Sequence, residues 1–188
     1  GHVQPAPPVP AIGFSQDEIP LGPGIRSGLD RSGHRIRQHK LIETIRFERE
    51  PDLLAELRDE IEAVHLARDH DAGRVSDLDD GAGVAFWRSV YDGHAARGEL
   101  EVATLRLDGH LAAYVVALAD PPAYRVFDGR FAPKWRPYSP GRRLEMAVME
   151  HARRRSFPEL DWMSSVAPEK LVASNQADPR WTVTAAGP

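Results

Sequence analysis

The stretch that most restricts the fold is Leu100–Phe131. Leu100–Leu107 reads as a strand, and Asp108-Gly109 is a two-residue hairpin signal. Leu111–Leu118 is apolar almost throughout, as a central strand buried on both faces would be. Asp120-Pro121-Pro122 makes the next turn, and Ala123–Phe131 the next strand. This three-stranded meander leads through Ala132–Tyr138 into a helix beginning at Ser139, which returns to a strand at Leu160–Ser164. A strand–helix–strand crossover of this kind is expected to be parallel and right-handed. Where a parallel pair begins inside an otherwise antiparallel sheet, the sheet splays, and open α/β sheets bind ligands at such places.

The rest of the chain is read around that meander. Residues 1–38 carry prolines at 5, 7, 8, 10, 20 and 23 and glycines at 13, 22, 24, 28 and 33, and are expected to be a flexible arm without regular structure. Residues 39–188 form the folded domain. Lys40–Arg49, with Ile42, Thr44, Ile45 and Phe47, predicts a strand. Pro51 opens a helix with Leu53, Leu57, Ile61 and Val64 along one face, and His65 beside it is read as a packed or solvent-edge residue. Asp69–Gly83 reads as a loop whose aspartates do not have EF-hand spacing. Val84–Ala96 predicts a second helix burying Phe86, Trp87, Val90, Tyr91 and His94. A short helical segment around Glu169–Ala173 and a last strand at Trp181–Thr184 complete the order.

Composition excludes several functions. The chain has no cysteine, so it has neither a disulfide framework nor a thiolate nucleophile. Seven of its histidines (34, 39, 65, 70, 94, 110 and 151) make no metal-ligand spacing, so no metal is expected. No run approaches the roughly 20 apolar residues of a membrane span, and the first 30 residues lack the apolar segment of a signal peptide. A cytoplasmic protein without membrane partners is expected. The charge is uneven: residues 125–155 carry nine Lys/Arg against three acids, a local +6 on a chain of net −4. Arg153-Arg154-Arg155 suit a helix C-terminus. The other six basic residues point to an anionic ligand.

Tyr138-Ser139-Pro140-Gly141-Arg142-Arg143-Leu144 is the natural place for that anion. Ser139 suits the N-cap and Pro140 the first helical position. Gly141 allows close approach to the backbone. Free N–H groups at a helix start with two arginines beside them make an anion site.

This order of elements resembles the GCN5-related N-acetyltransferase (GNAT) superfamily, and more closely its BioF2-like and Fem-type acyltransferase branch. The residues that carry the resemblance are Gly98–Leu107, Asp108-Gly109, Leu111-Ala112-Ala113, Tyr124, Phe131-Ala132-Pro133, Tyr138–Gly141, Leu144, Leu160–Met163 and Glu169-Lys170. The resemblance implies an α/β (α+β) domain with a mixed, mostly antiparallel sheet splayed at a parallel strand pair and helices on both faces. It implies acyl transfer from acetyl-CoA or another acyl-CoA to an amine of a small molecule or peptide. Fem-type relatives instead draw an amino acid from aminoacyl-tRNA, so tRNA is an alternative donor carrier. A catalytically silent binding domain with the same fold is a third reading. Tyr138, Ser139, Gly141, Arg142 and Arg143 would then bind the donor, although the superfamily has a small residue where Arg143 stands. The branch also often has Asp where this chain has Ala132.

Amine acylation needs a neutral amine, a polarised carbonyl and a protonated leaving group. Asp128 is a candidate base whose pKa the flanking Phe127 and Phe131 would raise, although Asp128-Gly129 is also a turn pair. Tyr124 is a candidate hydroxyl in the cleft. Lys170 matches the branch's lysine after the last conserved strand. Trp135 and Ser164 are candidates for contact with substrate. Relatives often carry two such domains, and this chain has the length of one.

Overall fold

The computed structural model describes residues 2–14, 23–163 and 176–184. Among them, seven strands form one sheet: β1 (His2–Gly13), β2 (Glu43–Glu48), β3 (Leu100–Leu107), β4 (His110–Asp120), β5 (Ala123–Phe131), β6 (Glu159–Asp161) and β7 (Gln176–Thr184). Their spatial order is β2-β3-β4-β5-β6-β1-β7. Among the described residues, only β5 and β6 pair in parallel. The helices are α1 (Pro23–Gln38), α2 (Pro51–Asp71), α3 (Gly81–Ala96) and α4 (Pro140–Arg154), with a 3-10 turn at Pro133–Tyr138.

The meander forms as its letters dictate. Asp108 and Gly109 take φ of 50° and 79°, the left-handed values that a tight hairpin between twisted strands requires. The Asp108 carboxylate then accepts the Ile42 N–H at 2.8 Å, tying the turn to the entry of β2. Alternation splits the sheet into two apolar faces. Ala103, Leu105, Leu107, Ala113, Val115 and Ala117 pack with Leu144, Val148 and Ala152 of α4 and Ile36 of α1. Leu100, Val102, Tyr114 and Val116 pack with Leu54, Ile61 and Val64 of α2 and Trp87 and Tyr91 of α3. Each buried Val, Leu or Ile among them stabilises the fold by about 1.5–3 kcal/mol, and each alanine methyl by about 0.8 kcal/mol.

The proline- and glycine-rich segment expected to be an unstructured arm instead supplies β1 and α1. In α1, Ile25, Leu29, Ser32 and Ile36 recur at helical spacing on the covered face, and Pro23 occupies the first helical position. Strand β1 tolerates its prolines by losing register: the pairing with β7 shifts between Ala6 and Val9, across the two prolines that have no N–H to give.

Other differences are smaller. Helix α2 buries Leu54 rather than Leu53, which is 41% exposed. It also runs to Asp71, into the expected loop. On α3, Phe86 is 70% exposed, and the buried residues are Trp87, Tyr91 and Ala95. The strand expected to reach Ser164 spans Glu159–Asp161, and the segment around Glu169–Ala173 lies outside the described residues. No described helix is long and apolar enough to cross a membrane.

Candidate active site

Strand β6 pairs with β5 only through Ala123, Tyr124 and Arg125. Beyond Arg125, no pairing of β5 with β6 is made among the described residues. A cleft of about 300 Å³ opens there. Its walls are β5 from Val126 to Phe131, Arg68 and Arg74 at the end of α2, Gly141 and Glu145 at the start of α4, and Trp162 after β6.

A β-bulge decides which side chains reach it. Val116 pairs with Asp128 and Ala117 with Val126, so Phe127 is the extra residue. Tyr124 and Val126 therefore lie on the α4 face of the sheet, whereas Asp128 and Arg130 sit opposite Val116 and Tyr114 on the α2 face. On that face they meet His65 and Asp69, one turn apart on α2.

The result is a closed ring of polar contacts. His65 Nδ1 lies 3.2 Å from Asp128 Oδ2 and its Nε2 lies 3.0 Å from Asp69 Oδ2. Arg130 closes the ring, donating from Nε to Asp69 at 3.1 Å and from Nη1 to Asp128 at 2.7 Å. The Tyr114 hydroxyl donates to Asp128 Oδ2 at 2.7 Å. Burial pushes the Asp128 carboxyl up, but His65, Arg130 and Tyr114 together outweigh it and hold the group below the usual carboxylate range. The rise expected from Phe127 and Phe131 is thereby reversed. Asp69 is held low in the same way: burial opposes ionisation, and Arg130, His65 and Arg74 overcome it. Burial and then the Asp128 charge push the Tyr114 hydroxyl well up, so it stays protonated. The cleft wall thus carries an ionised carboxylate beside a tyrosine that keeps its proton.

The other sequence-predicted residues divide into three groups. Gly141 lines the cleft, and a Cβ there would come within 3.3 Å of Phe131 Cδ1. Ser139 precedes α4, but its φ of 50° and ψ of 46° turn the side chain away from capping, and it makes no cap bond. Its carbonyl accepts the Arg143 N–H at 3.1 Å, leaving the Gly141 and Arg142 amides as the open start of the helix.

Several candidates are engaged elsewhere. Arg143 makes a two-bond ion pair with Glu43 of β2, at 2.6 and 2.5 Å. Arg142 lies 4.0 Å from Glu145. Tyr138 bonds His39 at 2.7 Å, and Trp135 packs into both apolar clusters and does not line the cleft. Tyr124 is also away from the cleft: it is buried on the α4 face and donates to Glu101 at 2.7 Å. Asp128 and Tyr124, paired as candidates in the sequence, are thus put on opposite faces by the bulge. Ser164 and Lys170 lie outside the described residues.

The sequence reads His65 as a packed or solvent-edge residue, Asp69 as the start of a loop and Arg130 as one of the basic residues of 125–155, and it does not single out Tyr114. One signal was available: His65 and Asp69 stand four apart, and an i,i+4 pair shares a helix face. Among the described residues, no group of three or more His, Cys, Asp or Glu side chains is placed to hold a metal ion.

The family model for the acetyltransferase (GNAT) domain matches residues 25–171. The chain belongs to this family. The GNAT match begins inside α1, in keeping with the helix found there. Solved structures agree at the level of fold. FemX matches with a TM-score of 0.64 at 10% identity, over 84% of this chain and 53% of its own. The C-terminal domain of a candidate lysylphosphatidylglycerol synthetase from Agrobacterium fabrum matches with a TM-score of 0.61 at 12% identity, over 96% of this chain and 60% of its own. A ribosomal-protein-alanine N-acetyltransferase from Brucella melitensis biovar Abortus 2308 matches with a TM-score of 0.52 at 16% identity, over 78% of this chain and 100% of its own. The chain therefore spans about half to three-fifths of the first two relatives. None of the curated proteins matches this sequence.

Proposed function

We propose that this GNAT domain is an N-acyltransferase that moves an acyl group from acyl-coenzyme A to the amine of a small molecule or peptide. The observation that carries this reading is the cleft along β5 beyond its described pairing with β6, whose lining runs from Asp128 to the open helix start at Gly141. Backbone N–H groups of β5 along that cleft hold the acyl carbonyl and the developing oxyanion. The Gly141 and Arg142 amides take the donor's pyrophosphate. The amine nitrogen attacks the thioester carbon; the N–C bond forms, the C–S bond breaks, the nitrogen loses a proton and the thiolate gains one. Asp128, held ionised, orients the amine and stabilises the positive charge that grows on it. Tyr114 keeps Asp128 in place.

Acetyl-coenzyme A should raise the Tm, because a ligand at 100 times its Kd stabilises a fold by about 2.7 kcal/mol. Gly141→Leu should reduce that rise in a protein that still folds. No shift with any acyl-coenzyme A, and no transfer to a broad amine panel, would leave a binding domain of GNAT fold.

A second donor is favoured by one observation. The Glu43–Arg143 pair withholds a guanidinium from the helix start, where a compact pyrophosphate would use it. An aminoacyl-tRNA donor spreads its charge over a wider surface. Salt-dependent tRNA binding without protection by coenzyme A would replace the first donor with this one.

A further inference from the structure

We propose that Arg68 and Arg74 form a clamp for a carboxylate, so that the acceptor is a small molecule bearing both an amine and a carboxylate; the amine half rests on the acyl-transfer reading above.

The clamp follows from how α2 ends. Gly73 adopts a φ of +68°, the left-handed value that terminates a helix. The Gly73 N–H bonds the His70 carbonyl at 2.9 Å, and the Arg74 N–H bonds the Asp69 carbonyl at 2.9 Å. This closure folds Arg74 back over the last turn, where Nη2 donates to Asp69 Oδ1 at 2.8 Å. Asp69 in turn anchors Arg130, and Arg130 anchors Asp128, so Arg74 is tied to the cleft through one continuous set of contacts.

Both arginines have donors to spare. A guanidinium carries five N–H groups. Arg74 spends one on Asp69, and Arg68 spends one on Asp71 at 3.3 Å. Arg68 is also fixed in orientation, with its guanidinium carbon 4.7 Å from the centre of the Phe131 ring. Both line the cleft, and the Arg74 side chain is 56% exposed to an incoming group. Planar forks with free paired N–H groups suit a carboxylate.

The charge order completes the argument. The arginines come from α2, which packs on the opposite face of the sheet from α4; Arg68 stacks on the Phe131 ring that Gly141 also meets, and Arg74 lies farther along the α2 end. Asp128, held ionised, stands on the same α2 face. The cleft lining holds two carboxylates, Asp128 and Glu145, and three guanidiniums, of which Arg130 is engaged by Asp69 and Asp128. This set matches a zwitterion, with its ammonium toward Asp128 and its carboxylate toward Arg68 and Arg74. The volume of about 300 Å³ suits a small acceptor.

The test compares matched acceptors, such as lysine with cadaverine and tryptophan with tryptamine, in two readouts. Calorimetry without donor reads acceptor binding alone. Steady-state acylation reads KM and kcat. The expected result is that wild type binds the carboxylate-bearing member more tightly. Arg74→Gln should lose that preference by about 10- to 100-fold, chiefly in KM, the scale of a charge-assisted bond. Arg74→Lys should restore part of it. Circular dichroism confirms that the variants fold. Equal binding of both members, no binding of either, or a preference for phosphate-bearing amines would overturn the clamp. Acylation of amines without carboxylate preference would overturn it while leaving the acyl-transfer reading intact. Carboxylate-dependent binding without any acyl transfer would uphold the clamp and reject that reading.

Discussion

Asp128 shows how much a single residue's role depends on what surrounds it. Its identity was readable as a candidate base, but its pKa direction was set by His65, Arg130 and Tyr114, of which His65 and Tyr114 come from other elements of the fold. Removing one partner from such a buried ion network leaves an uncompensated charge and destabilises by about 3–5 kcal/mol. Asp69→Asn should therefore lower stability on this scale in urea melts, and the change should exceed that of Asp92→Asn, whose partner Arg58 lies at the surface. The pH dependence has two windows. Asp69 and Asp128 bind protons less readily folded than unfolded, so their stabilisation is full above pH of about 4 and lost as pH falls below it. His151 has its pKa lowered from 6.5, first by burial and against the pull of Glu101. Its Nε2 lies 2.9 Å from Glu101 Oε1, but the contact is not aligned as a hydrogen bond. The unfolded ring takes a proton first, so stability should be complete above pH of about 6.5 and fall as the pH drops below it. His151→Phe, which keeps the stacking on Phe47, should flatten unfolding free energy between pH 7.5 and 5.5.

At the scale of elements, irregularities at a few positions decide where chemistry falls. The strand β5 was legible from Ala123–Phe131 by its composition, and the structure has those same bounds. The bulge at Phe127 was not legible, because one extra residue leaves no mark on a pattern of period two when both faces are apolar. The end of α2 is a second case. Asp-Ala-Gly is a recognisable helix stop, but the aspartates around it suggested a loop, and the turn from Asp69 to Arg74 went unseen. Gly73→Ala places a Cβ at a left-handed φ and should destabilise by about 1 kcal/mol. If Arg74 owes its position to that closure, the same variant should weaken acceptor binding in parallel, measured by calorimetry at a temperature where the variant is fully folded.

For the whole molecule, the surprise is at the N-terminus. Strand β1 sits inside the sheet between β6 and β7, and Ala11 and Ile12 are fully buried. Helix α1 adds Ile36 and braces the 3-10 turn, where Arg35 donates to the Pro137 carbonyl at 2.8 Å. A chain starting at residue 39 should lose about 3–6 kcal/mol from Ile12 and Ile36 alone, by the usual worth of a buried aliphatic side chain. Its thermal transition should broaden or vanish, and an unchanged melt would show that the first 38 residues are dispensable to the fold. By itself the sequence determined the meander, its turn and the return through a helix to a parallel strand. Those rest on local periodicity and turn chemistry, which neighbouring residues settle among themselves. The tertiary structure alone decided that a proline-rich segment becomes a strand, that Arg143 turns to Glu43, and that His65, Asp69 and Asp128 share a wall. Each of these depends on partners far along the chain, and no local pattern carries the position of a distant partner.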